Sequence, residues 1–269
     1  MNEELKKIAE DDWLVRISHY VPSAWLGHAP FLRFLIREME PKVFVELGTH
    51  NGFSYFVACQ TIAELDLPTQ AFAVDHWRGD KHAGVFDESV YSAVVELNKQ
   101  YNHFSNLLKM SFHEARVNVP DGIDLLHVDG LHTYEAVKED FETWLPKMNH
   151  DGIILIHDIH VRHSDFGVYR LWDELKSQYR TIEFTGSYGL GVIFLGVIPG
   201  DGIELFHNIS ESGHSVQFHG VFGALSDVVF QKYLSLTELE IKKIRDSRSW
   251  RITSPLRKLF SIATFLKNK

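Results

Sequence analysis

Four runs of this chain are short, almost wholly apolar and rich in β-branched or aromatic residues: 42–47 (KVFVEL), 70–75 (QAFAVD), 123–128 (IDLLHV) and 152–157 (GIILIH). Stretches of helical periodicity lie among them, at 53–65, 87–101, 133–145 and 166–179, and a weaker strand is expected near 105–110. A strand that is apolar throughout has to be covered on both faces. Alternation with helices therefore predicts an α/β fold with a mostly parallel sheet and helices on both faces. A closing pair, 181–185 and 190–196, is joined by Gly186-Ser187-Tyr188-Gly189 and reads as an antiparallel hairpin.

This core occupies 41–197. Residues 1–40 read as an N-terminal helical segment with an apolar face of Phe31, Leu32, Phe34, Leu35 and Ile36. Residues 198–240 form an irregular and helical extension, poor in periodicity as far as 233, and 241–269 a basic amphipathic tail. With 45% apolar and 23% charged residues in 269, the chain can bury a large core, which excludes disordered and fibrous classes.

The net charge of −9 hides a division. Residues 241–269 hold nine Lys or Arg against Asp246 alone, giving +8, while the remainder carries −17. An acidic body argues against nucleic acid, whose phosphates are gripped by clustered Lys and Arg. In the tail, Ser254 and Pro255 suit the start of a helix whose Leu256, Leu259, Phe260, Ala263 and Leu266 share a face beside basic residues. That pattern fits an interfacial helix on an anionic membrane, with docking on the chain's own acidic body or on another subunit as the plain alternatives. Cys59 is the only cysteine, so no disulfide can form within the chain. The charged N-terminus carries no signal-peptide pattern, and the expected location is cytoplasmic, peripheral at the inner membrane face if the tail binds lipid.

Chemistry-bearing residues stand at the ends of the strands. The first strand runs through Glu46, Gly48, Gly52 and Ser54 into a helix. Gly48 permits a tight turn, and the helix that follows Gly52 offers its N-terminal amides to a ligand. The second strand ends in Asp75, a carboxylate placed to accept hydrogen bonds from ribose hydroxyls, as in dinucleotide folds. His76 and Trp77 follow it. The later strands end in Asp129 and in His157-Asp158, two carboxylates at one rim, within reach of a divalent cation or a substrate hydroxyl. His132 can remove a hydroxyl proton near neutral pH, and His157, His160 and His163 are secondary candidates. A turn glycine, a capping aspartate and a helix-capping histidine are the plain alternatives for these residues.

Four segments, ExGxxxGxS from Glu46, VDHWRGDKHAG from Val74, IDLLHVDGLHTYEAVKEDFETWLPKM from Ile123 and GIILIHD from Gly152, together resemble class I S-adenosylmethionine-dependent methyltransferases. They are similar to the subgroup found with bacterial surface-glycan genes, near macrocin O-methyltransferase and cephalosporin hydroxylase-like proteins. The resemblance covers about 40–197. It implies a Rossmann-like methyltransferase sheet with an antiparallel last strand and S-adenosylmethionine as cofactor. Glu46, Gly48, Gly52 and Ser54 would hold that cofactor, Asp75 would bind its ribose, and His76 and Trp77 would lie beside it. Trp77, Gly79, Asp80 and His82 would approach cofactor or acceptor. Asp129 and Asp158, with His157, would hold Mg2+ or another divalent metal, and Asp129 or His132 would serve catalysis. Leu131 and His157 stand where relatives often carry acids.

The expected activity is O-methyl transfer to a sugar hydroxyl of a bacterial surface glycan or its precursor, so the partners are a small-molecule or glycan acceptor and, for a homo-oligomer, other copies of the chain. Two other readings use the same residues. An Fe(II) oxygenase is suggested by His127-x-Asp129, although such triads usually sit on all-β scaffolds. A non-catalytic glycan-complex module with a vestigial cofactor site is the third.

Overall fold

The computed structural model describes residues 3–196, 215–247 and 250, and divides into two compact units, 1–229 and 230–269. The amphipathic helix expected from Ser254, most of the basic tail, and 198–214 of the extension lie outside the described residues.

The first unit is built on a seven-stranded sheet. Its strands are β1 (Val43–Leu47), β2 (Gln70–Asp75), β5 (Ser105–Lys109), β6 (Ile123–Val128), β7 (Met148–His157), β8 (Arg180–Phe184) and β9 (Leu190–Phe194), in the order β5-β2-β1-β6-β7-β9-β8. β9 alone runs antiparallel to both neighbours, which confirms the hairpin and the reversed last strand. β3 (Gly79–Asp80) and β4 (Gly84–Val85) make a small separate hairpin. After β5 the chain crosses back to the other side of β1, so the order reverses between β1 and β6. In open α/β sheets such a reversal opens a crevice at the carboxyl ends of the strands.

Strand alternation decides what each face holds. Val45, Leu47, Leu126, Val128, Ile154 and Ile156 point to one side, where they pack with Val137, Phe141 and Trp144 of α6 (Tyr134–Trp144) and Leu171, Trp172 and Leu175 of α7 (Val168–Leu175). Phe44 points to the opposite side and stacks on Tyr55 of α3 (Phe53–Glu64), which packs against α2 (Ala29–Met39). The remaining short helices are α1 (Glu3–Ala9), α4 (Glu88–Asn98) and α5 (Phe112–Ala115). α6 starts as the sequence suggests: the Thr133 hydroxyl accepts the amide of Ala136, and Glu135 favours the positive end of the helix.

Three segments depart from expectation. Residues 10–28 are not continuous helix; only 12–15 and 26–28 form short 3-10 turns, and the stretch runs irregularly until Pro30 opens α2. β7 begins at Met148, four residues early, with a register shift against β6 between Ile123 and Leu125. α8 (Ser215–Asp246) starts within the stretch that lacks periodicity, because Gly and His dilute its apolar stripe. Its first half belongs to the first unit, where Phe222 packs edge-on against Phe31 and Phe34 at 5.5 Å.

Candidate active site

A cavity of about 700 Å3 opens at the carboxyl ends of β1, β2, β6 and β7. Its floor is the turn after β1. Gly48 has φ +93°, and a Cβ there would overlap the carbonyl oxygen of Asp129, so the two strand ends beside the reversal can meet only over glycine. The amide of Gly48 donates to Val74 O (2.9 Å) and that of Asp129 to Leu47 O (2.8 Å), tying β2, β1 and β6 together at the rim. Gly52, at φ +80°, caps α3 against the ring of Phe56. Ser54 lies in the first turn and lines the cavity.

Asp75 is where the sequence placed it. Its Oδ2 accepts the amide of His50 (2.9 Å) and its Oδ1 that of Trp77 (2.6 Å), so one carboxylate anchors two loops while facing the cavity. His76 also lines the cavity and is half exposed. Trp77 does not line it. Its indole is buried, lies 4.8 Å from Tyr91 and donates to His50 O (2.9 Å), fixing the loop from below. His50, Trp77 and Asp158 all take left-handed backbone angles, a strain that clusters at functional sites.

Glu46 also stands off the cavity. It faces away from α6 and is register partner of His127, whose Nδ1 lies 2.8 Å from Glu46 Oε2, both side chains being fully buried. Burial raises the Glu46 carboxyl, against the pull of His127. His127 packs under Trp25, ring centres 4.7 Å apart, so the His127-x-Asp129 pair suggested for an iron triad is divided between a buried pair and the cavity.

The rim at the ends of β6 and β7, beside the glycine turn, holds a cluster of two acids and two imidazoles. His132 Nε2 lies 2.9 Å from Asp158 Oδ2 and 3.5 Å from Asp129 Oδ1. His157 Nδ1 lies 3.3 Å from Asp129 and 3.6 Å from Asp158, while its Nε2 donates to Ser187 O (2.9 Å). Burial works against charge on both rings, but the carboxylates outweigh it and push His132 up to about 9 and His157 up to about 10. Burial likewise opposes ionisation of the acids, yet His157 and His132 hold Asp129 and Asp158 below the usual carboxylate range. Phe166 stacks flat on His132 at 4.8 Å, and His82 stacks on Phe166 at 4.4 Å. Lys81 and His82 both pair with Asp165, which joins the β3–β4 hairpin to the loop carrying Phe166. His160 instead bonds Glu183 (2.6 Å) outside the cavity.

The donor atoms of Asp129, His132 and Asp158 come within 4.8 Å of one another, a spacing that suits a metal ion. The Nδ1 of His132 is buried without a hydrogen-bond partner. Two carboxylates and an imidazole fit a divalent cation. His157, expected as the third ligand, is outside that group; its ring stands behind the carboxylates, held by Ser187.

Several lining residues carry no sequence signal. Pro22, Ser23 and Trp25 arrive from the irregular N-terminal stretch, and Asp140 sits on the polar side of α6 where it resembles a solvent-facing acid. Burial, then the neighbouring Glu139, raises Asp140 to about 7.

Residues 45–159, the span from β1 to the end of the acid cluster, match the family model described as a methyltransferase domain. Residues 45–159 form a methyltransferase domain. Its fold is the Rossmann-like fold of class I methyltransferases. A crystal structure of a candidate caffeoyl-CoA O-methyltransferase from Staphylococcus aureus shares the fold at TM-score 0.50 and 19% identity, covering 72% of this chain and 91% of that one. The uncharacterized protein y4gI of Sinorhizobium fredii is 47% identical over 182 residues, 67% of this chain and 20% of its own length. An uncharacterized protein of Acanthamoeba polyphaga mimivirus is 26% identical over 127 residues, 45% of this chain and 53% of its own length. The chain thus spans about a fifth of the first relative and about half of the second. Every residue of the acid and imidazole cluster falls inside the methyltransferase domain.

Proposed function

We propose that the protein is an S-adenosylmethionine-dependent O-methyltransferase that acts on a sugar hydroxyl of a bacterial surface glycan or its precursor. The observation that supports the reaction type is that one cavity holds the glycine turn with Asp75 and, on its β6–β7 side, the cluster of Asp129, His132 and Asp158. The first part suits a nucleoside: Asp75 keeps lone pairs free for ribose hydroxyls, and the amides that open α3 suit a carboxylate. The second suits an acceptor hydroxyl. The glycan assignment draws on the resemblance of the VDHWRGDKHAG and DGLHTYEAVKEDFETWLPK segments, and a cavity wall without Lys or Arg among the described residues suits an uncharged hydroxyl.

In the transfer, the acceptor oxygen attacks the sulfonium methyl carbon, the carbon–sulfur bond breaks to leave a neutral thioether, and the hydroxyl proton leaves to the protein. The sulfonium methyl is already activated, so the chain supplies alignment and a proton acceptor. His132 is that acceptor in its neutral form, with Asp158 and Asp129 orienting the ring and stabilising the imidazolium that results. Phe166 keeps the ring face dry and fixed. Asp129 and Asp158 would hold Mg2+ or a similar cation, which when bound supplies charge that lowers the acceptor pKa and leaves the lone pair of His132 for the proton.

Asp129→Asn is expected to lower kcat/KM by roughly 100-fold while leaving affinity for S-adenosylhomocysteine within about threefold. Calorimetry together with mass spectrometry of candidate sugars, with and without magnesium, checks both. Loss of cofactor affinity in proportion to the loss of turnover would move Asp129 from acceptor to cofactor site.

A further inference from the structure

Beyond Val229 the helix α8 changes the face that carries its apolar residues. Up to that point its buried side chains are Phe218, Val221, Phe222, Leu225 and Val229, one stripe at about 100° per residue. Further along, that stripe keeps Leu236 and the exposed Leu239 but takes up Lys232, Glu240 and Lys243, while a second series begins: Phe230, Leu234, Thr237, Ile241 and Ile244. Its centre lies roughly 120° round the helix from the first stripe. Leu234, Ile241 and Ile244 are 51%, 44% and 55% exposed.

The steps in this series are four, three, four and three residues, the heptad alternation of a coiled-coil seam. Phe230, Thr237 and Ile244 take the d positions, Leu234 and Ile241 the a positions. Glu240 is then at g and Arg245 at e of the next heptad. Five residues apart, they do not face each other on their own helix. In a parallel pair of helices g meets e of the partner, so each Glu240 meets Arg245 of the other copy. In an antiparallel pair centred on Thr237, Glu238 would meet its own copy, like charge against like.

We propose that residues 230–246 self-associate as a parallel two-stranded coiled coil, which makes the protein a homodimer. The occupant of the exposed seam is a second copy of this chain because both the seam and the flanking charges are self-complementary. Two strands bring two copies of the basic segment that follows into one place, so dimerisation doubles the positive charge that a single chain presents.

The test is sedimentation of the full-length protein across a concentration series. The mass of two chains is expected, falling to that of one chain in Ile241→Asp, with the melting temperature of the methyltransferase domain unchanged. Glu240→Arg and Arg245→Glu each raise the dissociation constant roughly 5- to 20-fold, and the double variant restores it, because only inter-helix pairing links these two sites. A wild-type mass of one chain at high concentration overturns the proposal, whether or not that chain binds anionic vesicles. So does a double variant no tighter than either single one.

Discussion

Gly48 shows how much of the site hangs on one backbone angle. It combines φ +93° with contact against the Asp129 carbonyl, so Gly48→Ala is expected to cost roughly 2–4 kcal/mol in denaturant unfolding and to weaken the cofactor analogue in step. Gly48, Asp75, Asp129 and Asp158 were all readable because a strand end in an alternating pattern marks the crevice. Glu46 and Trp77 were expected beside the cofactor from the resemblance, and position alone does not say which way a side chain points. Strand alternation does: Val45 and Leu47 face α6 and α7, so Glu46 between them faces the other way, where His127 meets it. His132 carries a pH prediction. Its folded pKa of about 9 lies above the ordinary imidazole value, so the ring is charged at neutral pH and turnover rises as pH climbs toward 9. The same shift makes its ion pairs with the acids stabilising below about pH 6.5. That stabilisation fades as pH rises through 9, while the depressed carboxylates lose theirs only in acid. A His132→Gln variant lacking the rising limb in a pH-rate profile confirms the role; an unchanged limb assigns the proton to another group.

Elements bring together what no motif contains. The alternation of strands and helices was legible because apolar runs and amphipathic stretches carry different periods. Residues 10–28 follow neither period, so the arrival of Trp25 in the cavity wall and of His28 beneath it left no trace. Burial and then the nearby charge of His157 hold His28 down to about 3, so it stays neutral where His157 is charged. Both rings approach one carbonyl, Ser187 O, at 3.3 and 2.9 Å, which ties the β8–β9 turn to the acid cluster. On the other side, His82 couples the β3–β4 hairpin to Phe166 and so to His132. His82→Ala frees Phe166 from that stack, and kcat is expected to fall roughly 10-fold with S-adenosylhomocysteine affinity unaltered. Stopped-time assays beside calorimetry read this; a matching loss of affinity would place the hairpin on the cofactor instead.

At the scale of the whole molecule, charge and architecture divide the labour. The first unit has an open sheet whose order reverses between β1 and β6, and the residues with chemistry gather at that reversal. No helix among the described residues is long and apolar enough to cross a membrane. The basic tail is the expected attachment segment, and the seam of 230–246 the expected point of self-association. Fold and cofactor crevice can be read from sequence because they obey periodicity; the acceptor cannot, because its wall is assembled from a hairpin, an irregular stretch and one face of a polar helix. The central claim is that the crevice holds S-adenosylmethionine. Titration calorimetry of S-adenosylhomocysteine into the full-length protein tests it most directly. One site per chain is expected, weakened roughly tenfold or more by Asp75→Ala and left intact by His132→Ala. No binding heat from folded protein, or equal affinity in Asp75→Ala, would contradict it.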